Sequence, residues 1–312
     1  MKRSHSSFLV ALMLTSSLVC ADLQEHLKKP LGKEEGVHEM RNIDFIYMIN
    51  MDQRPEKWRM SLNQLVPFGI VPYRFSAVNG WELSLDTIND VGLKFSPEME
   101  GNFMATSYLP IGDYMPVHDN LCKYGQTYFC HCMARGTIGI ALSHISILQD
   151  AYDSGYETIW VMEDDIEVRR DPRILSDLID RLDAQVGKEN WDVLFTDRDL
   201  RDANGNYATT WWAARRPDYA LFSQSNNYAL KASVSSDFYK IGARYGAHSM
   251  IVRRSGMKKL LQFFHAHQIF LPYDMDYILP RGINLYAVWD DVVSNLPKAL
   301  SDNGGPFYLD KK

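Results

Sequence analysis

Apolar and polar positions fall into blocks along the chain. Phe8 to Val19 is apolar apart from Thr15, Ser16 and Ser17, follows Lys2 and Arg3, and runs into Val19-Cys20-Ala21. That layout predicts a secretory leader cleaved after Ala21. The stretch is shorter than the roughly 20 apolar residues of a membrane span. An uncleaved anchor or a buried first helix is the alternative, and no other segment is apolar and long enough to span a bilayer. Residues 22–41 are polar and charged, with Pro30, Gly32 and Gly36, and are expected to be a lead-in to a domain over 42–310.

Ile43 to Ile49 is a short apolar run typical of a buried strand. It ends at Asn50-Met51-Asp52-Gln53-Arg54-Pro55, where Asp52 is expected to cap a helix carrying Trp58, Leu62, Leu65 and Val66 at helical spacing. Ile70 to Val78 predicts the next strand, closed by Asn79-Gly80. Residues 81–135 show no clear period and are expected to form an excursion over the surface. A helix opens at Gly136-Thr137-Ile138-Gly139 and ends near Ser154-Gly155. Thr158 to Met162 is a β-rich run delivering Glu163-Asp164-Asp165. A helix over Pro172 to Ala184 and a strand over Trp191 to Phe195, ending at Thr196-Asp197, complete the series. The alternation predicts an α/β sheet with parallel neighbours. In such sheets ligands bind beyond the carboxyl ends of the strands, where Asn50, Asp52, Glu163, Asp164, Asp165 and Asp197 all fall.

Composition changes this picture only at the margins. With 33 Lys+Arg against 39 Asp+Glu the net charge is −6, which argues against nucleic acid as a partner. Four cysteines are too few for a disulfide scaffold. Beyond the leader, Cys122, Cys130 and Cys132 allow one bridge and one free thiol. Cys130-His131-Cys132 lacks the second ligand pair of a zinc site. No glycine-rich phosphate loop occurs.

Three consecutive carboxylates raise one another's pKa unless a cation or hydrogen bonds compensate. Mn²⁺ or Mg²⁺ is the economical compensation, with water and substrate phosphates completing its shell. A solvated acidic turn is the bland alternative.

Six blocks in order resemble glycosyltransferase family 25, the lipooligosaccharide and procollagen β-galactosyltransferase group. They are Ile46 to Trp58, Tyr73 to Gly80, Gly136 to His144, Trp160 to Asp165, Gly246 to Leu261, and Pro272-Tyr273-Asp274 with Ser301-Asp302. The resemblance implies a single GT-A domain, a UDP-sugar donor, a glycan or glycoprotein acceptor, a divalent metal and inversion at the anomeric carbon, with galactose as the expected hexose. It places Asn50, Asp52 and Arg54 at the nucleotide, Asp164 at the ribose, and Ser143 and His144 along the donor pocket. Glu163 and Asp165 would ligate the metal, Asp302 or a nearby histidine completing the shell. Asp274 is the expected general base, with Asp276 and Asp302 as rivals. Ile140 replaces the family's usual Cys or Ala, which is expected to be a harmless core change. Residues 198–235, with Trp211, Trp212, Arg215, Arg216, Tyr219 and Tyr228, match nothing in the family and are expected to shape the acceptor site. A catalytically silent sugar- or partner-binding module and a metal-dependent phosphoesterase are the competing functions. His265-Ala266-His267 gives the latter little support.

Overall fold

The computed structural model describes residues 23–110, 115–208, 214–219 and 224–308. The leader, Trp211 and Trp212 lie outside them. Strand β1 (Phe45–Asn50) is buried at all six positions, as a continuous apolar run requires when both faces of a sheet are covered. Helix α1 (Pro55–Leu65) begins on a proline preset for helical φ. Its N-cap is Arg54, so the expectation for Asp52 fails. Asp52 instead accepts from Ser76 Oγ at 2.7 Å and pairs with Arg74 at 3.0 Å, on the exposed side of β2 (Tyr73–Ser76).

Residues 81–135 are not a surface excursion. Helix α2 (Leu85–Val91), capped by Ser84, leads into β3 (Leu93–Lys94), β4 (Met104–Tyr108), β5 (Pro116–Asn120) and β6 (Thr127–Cys130). These strands form an antiparallel sheet in the order β3-β6-β4-β5. Period-two alternation is lost because four of the five β4 positions and all four β6 positions are buried.

Helix α3 (Arg135–Asp153) then feeds β7 (Thr158–Glu163), short β8 (Ile166–Val168), α4 (Leu175–Val186) and β9 (Val193–Phe195). After α5 (Gln224–Ala229) come β10 (Lys231–Ser233), β11 (Phe238–Ile241) and β12 (Ser249–Arg253). The remainder is α6 (Arg254–His267), α7 (Tyr273–Asp276), β13 (Leu285–Val288) and β14 (Val293–Asn295). The large sheet has the order β10-β11-β13-β9-β12-β7-β1-β2. Strands β2, β1 and β7 are parallel as expected. The β9 strand is not their neighbour, because β12 is inserted antiparallel between β7 and β9. The molecule is therefore a mixed α/β domain. Among the described residues, no helix is long and apolar enough to cross a membrane.

Alternation along β1 divides the core. Phe45, Tyr47 and Ile49 join Leu142 and Ile145 of α3 and Leu260 and Phe264 of α6 on one face. Ile46 and Met48 join Trp160 and Leu175, Leu178 and Leu182 of α4 on the other. Emptying one such site to alanine costs about 2–5 kcal/mol. Trp160 is fully buried, its indole N–H donating to Ser249 Oγ at 2.9 Å. One close approach positions the site. A methyl group on Gly80 would fall 1.8 Å from Arg135 O, and one on Gly139 would fall 2.5 Å from Gly80 N and Val78 O. Only glycines let the turn after β2 lie directly on α3.

Candidate functional site

Strands β1 and β7 run side by side with Ile49 opposite Glu163, so Asn50 and the acidic triplet emerge at the same end of the sheet. Asn50, fully buried, donates to Asp164 Oδ2 at 2.6 Å and to Arg54 O at 2.9 Å, and accepts from Arg74 Nε at 2.7 Å. Ser61 Oγ on α1 holds Asp164 O at 2.7 Å. His144 of α3 reaches Glu163 Oε1 at 3.1 Å, and its ring stacks on Tyr273 with centroids 4.2 Å apart.

The charges of the triplet are unevenly balanced. Burial raises Glu163, but the hydrogen bond and charge of His144 outweigh it and hold the carboxyl below its usual value. Burial and the neighbouring Asp165 push Asp164 up to about 7. Burial and Glu163 also raise Asp165, which receives no hydrogen bond from another side chain among the described residues. A hard cation taking one or two carboxylates fits this surplus of negative charge. A full protein cage does not form: among the described residues no group of three or more His, Cys, Asp or Glu is arranged to hold a metal ion. Asp302 in particular is engaged elsewhere, bridging Arg54 and Lys57.

Two cavities meet at the triplet. The smaller, about 80 Å³, is lined by Lys57, Trp81, His144, the triplet and Ser301 to Asn303. The larger, about 480 Å³, has Glu163, Asp165, His248, Tyr273 and Asp274 among its walls. Asp274, at the start of α7, accepts from Gly246 N at 2.9 Å, and burial raises its carboxyl with Glu163 adding to the effect. Its rival Asp276 is fully buried and locked to Arg216 at 2.8 Å, a structural partner rather than a base. Arg216 is itself fully buried between Asp276 and Asp218, so it braces α7 and does not face an acceptor. A cavity of about 820 Å³ bordered by Asp218, Leu230, Lys240 and Arg281 shares no wall with these two. Asp218, the acid on its wall, is already paired with Arg216.

The structure shifts several expectations. Ser143 does not line the pocket: fully buried, its hydroxyl accepts from Val78 N at 2.8 Å and donates to Gly139 O at 2.8 Å. Asn50, Asp52 and Arg54 line neither cavity. Ile140 lines both, so its replacement of a smaller residue alters the site and not the core. Among the described residues Cys122, Cys130 and Cys132 are free thiols, with the sulfurs of Cys130 and Cys132 2.7 Å apart.

Two residues had no role assigned from sequence. Lys57 lies three positions after Arg54, a spacing that puts both on one helical face and could have revealed it. His248 lines the larger cavity and bonds through Nε2 to Asp197 at 2.8 Å. Asp197 is fully buried and also takes Arg244 at 2.7 Å and Ser294 Oγ at 2.9 Å. Burial would raise that carboxyl, yet Arg244 and His248 pull it well below the carboxylate range.

Residues 43–278 match the family described as Glycosyltransferase family 25 (LPS biosynthesis protein). A protein of Aedes aegypti called "Glycosyltransferase 25 family member" is 28% identical over 177 residues, covering 57% of this chain and 24% of that protein. A Drosophila melanogaster protein of the same name is 25% identical, with coverage of 57% and 24%. The human "Inactive glycosyltransferase 25 family member 3" is 24% identical over 175 residues, 55% of this chain and 24% of that protein. The chain thus spans about a quarter of the length of these relatives.

Proposed function

The chain belongs to glycosyltransferase family 25, and from that premise we propose that it moves a hexose, galactose first among the candidates, from a UDP-sugar to a hydroxyl of a glycan or protein acceptor, with inversion and on a GT-A scaffold. The observation that carries this is the sharing of one cavity by Glu163, Asp165 and Asp274. A carboxylate raised by burial is a competent base near neutrality. Asp274 takes the acceptor hydroxyl's proton as the new C1–O bond forms and the bond from C1 to the diphosphate oxygen breaks. Arg54 orients the nucleotide, Asn50 braces Asp164 and Arg54 beside it, and His144 keeps Glu163 ionised. Mn²⁺ or Mg²⁺ held by Asp165 and Glu163 would supply stabilisation of charge on the departing diphosphate.

A screen of nucleotide sugars with Mn²⁺ tests the reading. Turnover of a UDP-hexose, lost in Asp165→Asn with the fold intact, supports it; absence of both binding and turnover for every donor sinks it. Export through a secretory pathway belongs to the same reading. Mass spectrometry of the native N-terminus checks it, with Asp22 as the expected first residue. The names of two relatives, "inactive" in human and mouse, favour one second reading, a silent sugar-binding module. Acceptor binding that persists without metal and survives Asp274→Asn distinguishes it.

A further inference from the structure

Residues 296–308 form a strap across the mouth of the smaller cavity. Leu296 N donates to Asp165 O at 2.7 Å, Trp81 Nε1 to Asp302 O at 3.2 Å, and Asn79 Nδ2 to Tyr308 OH at 2.8 Å. The strap lies so close on α3 that a methyl group on Gly136 would fall 2.9 Å from Asp302 O. What remains beneath it is about 80 Å³, well under the roughly 300 Å³ at which small-molecule pockets begin.

The Asp302 side chain points down from this strap onto two cations of the first turn of α1. One carboxylate oxygen takes Arg54 Nη1, and the other lies 3.4 Å from Lys57 Nζ. Both cations are nearly enclosed, with side chains 8% and 10% exposed. The other acids facing them are Glu56, at 2.6 Å from Arg54, and Asp164, at 4.0 Å from Lys57. A carboxylate bridging a guanidinium and an ammonium with its two oxygens makes the contacts that a phosphate makes. Removing it without replacement would leave two poorly solvated positive charges, which is costly.

We propose that Arg54 and Lys57 form the seat for the donor's diphosphate, and that Asp302 is the chain's own carboxylate filling that seat until the donor displaces it. The proposal rests on the nucleotide-sugar reading above and adds Lys57 to the anion's partners. Displacement has two linked effects: the strap lifts, opening the slot beside Trp81, and the phosphates take over the cations that Asp302 leaves. Donor binding and strap opening therefore compete with one contact, and weakening that contact strengthens binding.

Calorimetry on the full chain with UDP, inorganic pyrophosphate and uridine tests this. Asp302→Asn is expected to bind UDP and pyrophosphate about fivefold more tightly and uridine unchanged. Lys57→Gln is expected to weaken both phosphate probes about tenfold, again sparing uridine. Trypsin cleavage after Lys298 should accelerate in Asp302→Asn and on addition of pyrophosphate to the native chain. This readout holds whether or not the lysine variant folds. Unchanged or weaker pyrophosphate binding in Asp302→Asn overturns the proposal. If pyrophosphate behaves as expected but UDP binds no more tightly than pyrophosphate, the anion seat stands and the nucleotide-sugar reading falls.

Discussion

Asp197 and the Glu163–Asp165 triplet stand at the carboxyl ends of strands in one sheet, yet their charge is handled in opposite ways. Both carboxylate oxygens of Asp197 are partnered, by a guanidinium, an imidazole and a hydroxyl. Its carboxyl is held far below the ordinary range. Two strands away, Asp164 and Asp165 are pushed upward. The first arrangement is closed and contributes to stability. The second is left incomplete, and the cost is carried where a cation or a ligand can remove it. On the reading proposed above, the difference separates a structural acid from a functional one more sharply than burial does.

Removing the closed acid should have the largest effect. Asp197→Ala leaves Arg244 buried without its carboxylate, and a loss of about 3–5 kcal/mol is expected in urea denaturation. A loss below about 1 kcal/mol would erase the contrast. Next comes Asp165→Asn. The proposed transfer should fall by about 100-fold or more, while the urea midpoint stays level or rises, since a repelled charge is deleted.

Asp164 gives a smaller effect with a defined pH window. Its folded pKa, about 7, lies above the unfolded value, so the folded state holds the extra proton between the ordinary carboxylate range near 4 and about 7. Stability therefore declines as pH rises through that window and levels off above it. Asp164→Asn should melt a few degrees higher than the native chain at pH 8, an advantage that shrinks toward pH 4. A constant difference across that range would remove Asp164 from the comparison. Asp52→Ala is the smallest case: its exposed pairing with Arg74 should be worth less than about 0.5 kcal/mol in the same melts.

How much of this was legible in the sequence depended on whether one property or several decided each position. Buried strands between helices declare themselves by unbroken apolar runs, and β1, α3, β7 and α4 all lie where those runs predict. The small antiparallel sheet is silent for the opposite reason. Its β4 is almost wholly buried and its β5 is half-exposed or exposed throughout, so neither alternates. The acidic triplet was found because three charges after an apolar strand are anomalous locally. His248 and the grip of Asp302 on Arg54 escaped because each depends on partners far along the chain, in the latter case 248 residues apart, whereas Lys57 had a local signal in its spacing from Arg54. Ser143 was misplaced because helical position alone does not say which face meets a cavity. Its hydroxyl is directed at the turn after β2.

Strand β12 has a consequence for the order in which the molecule can be completed. It is synthesised after residue 248, yet it lies between β7 and β9 and pairs with both. As the chain emerges from N- to C-terminus, β2, β1 and β7 can zip together early, but β7 keeps an open edge. Strand β9 waits without either of its partners, β12 and β13, through more than fifty further residues. An unpaired edge is a template for pairing with other chains. A nascent or truncated chain ending before Ser249 is thus exposed to intermolecular β-pairing, and five residues arriving late close the gap from both sides.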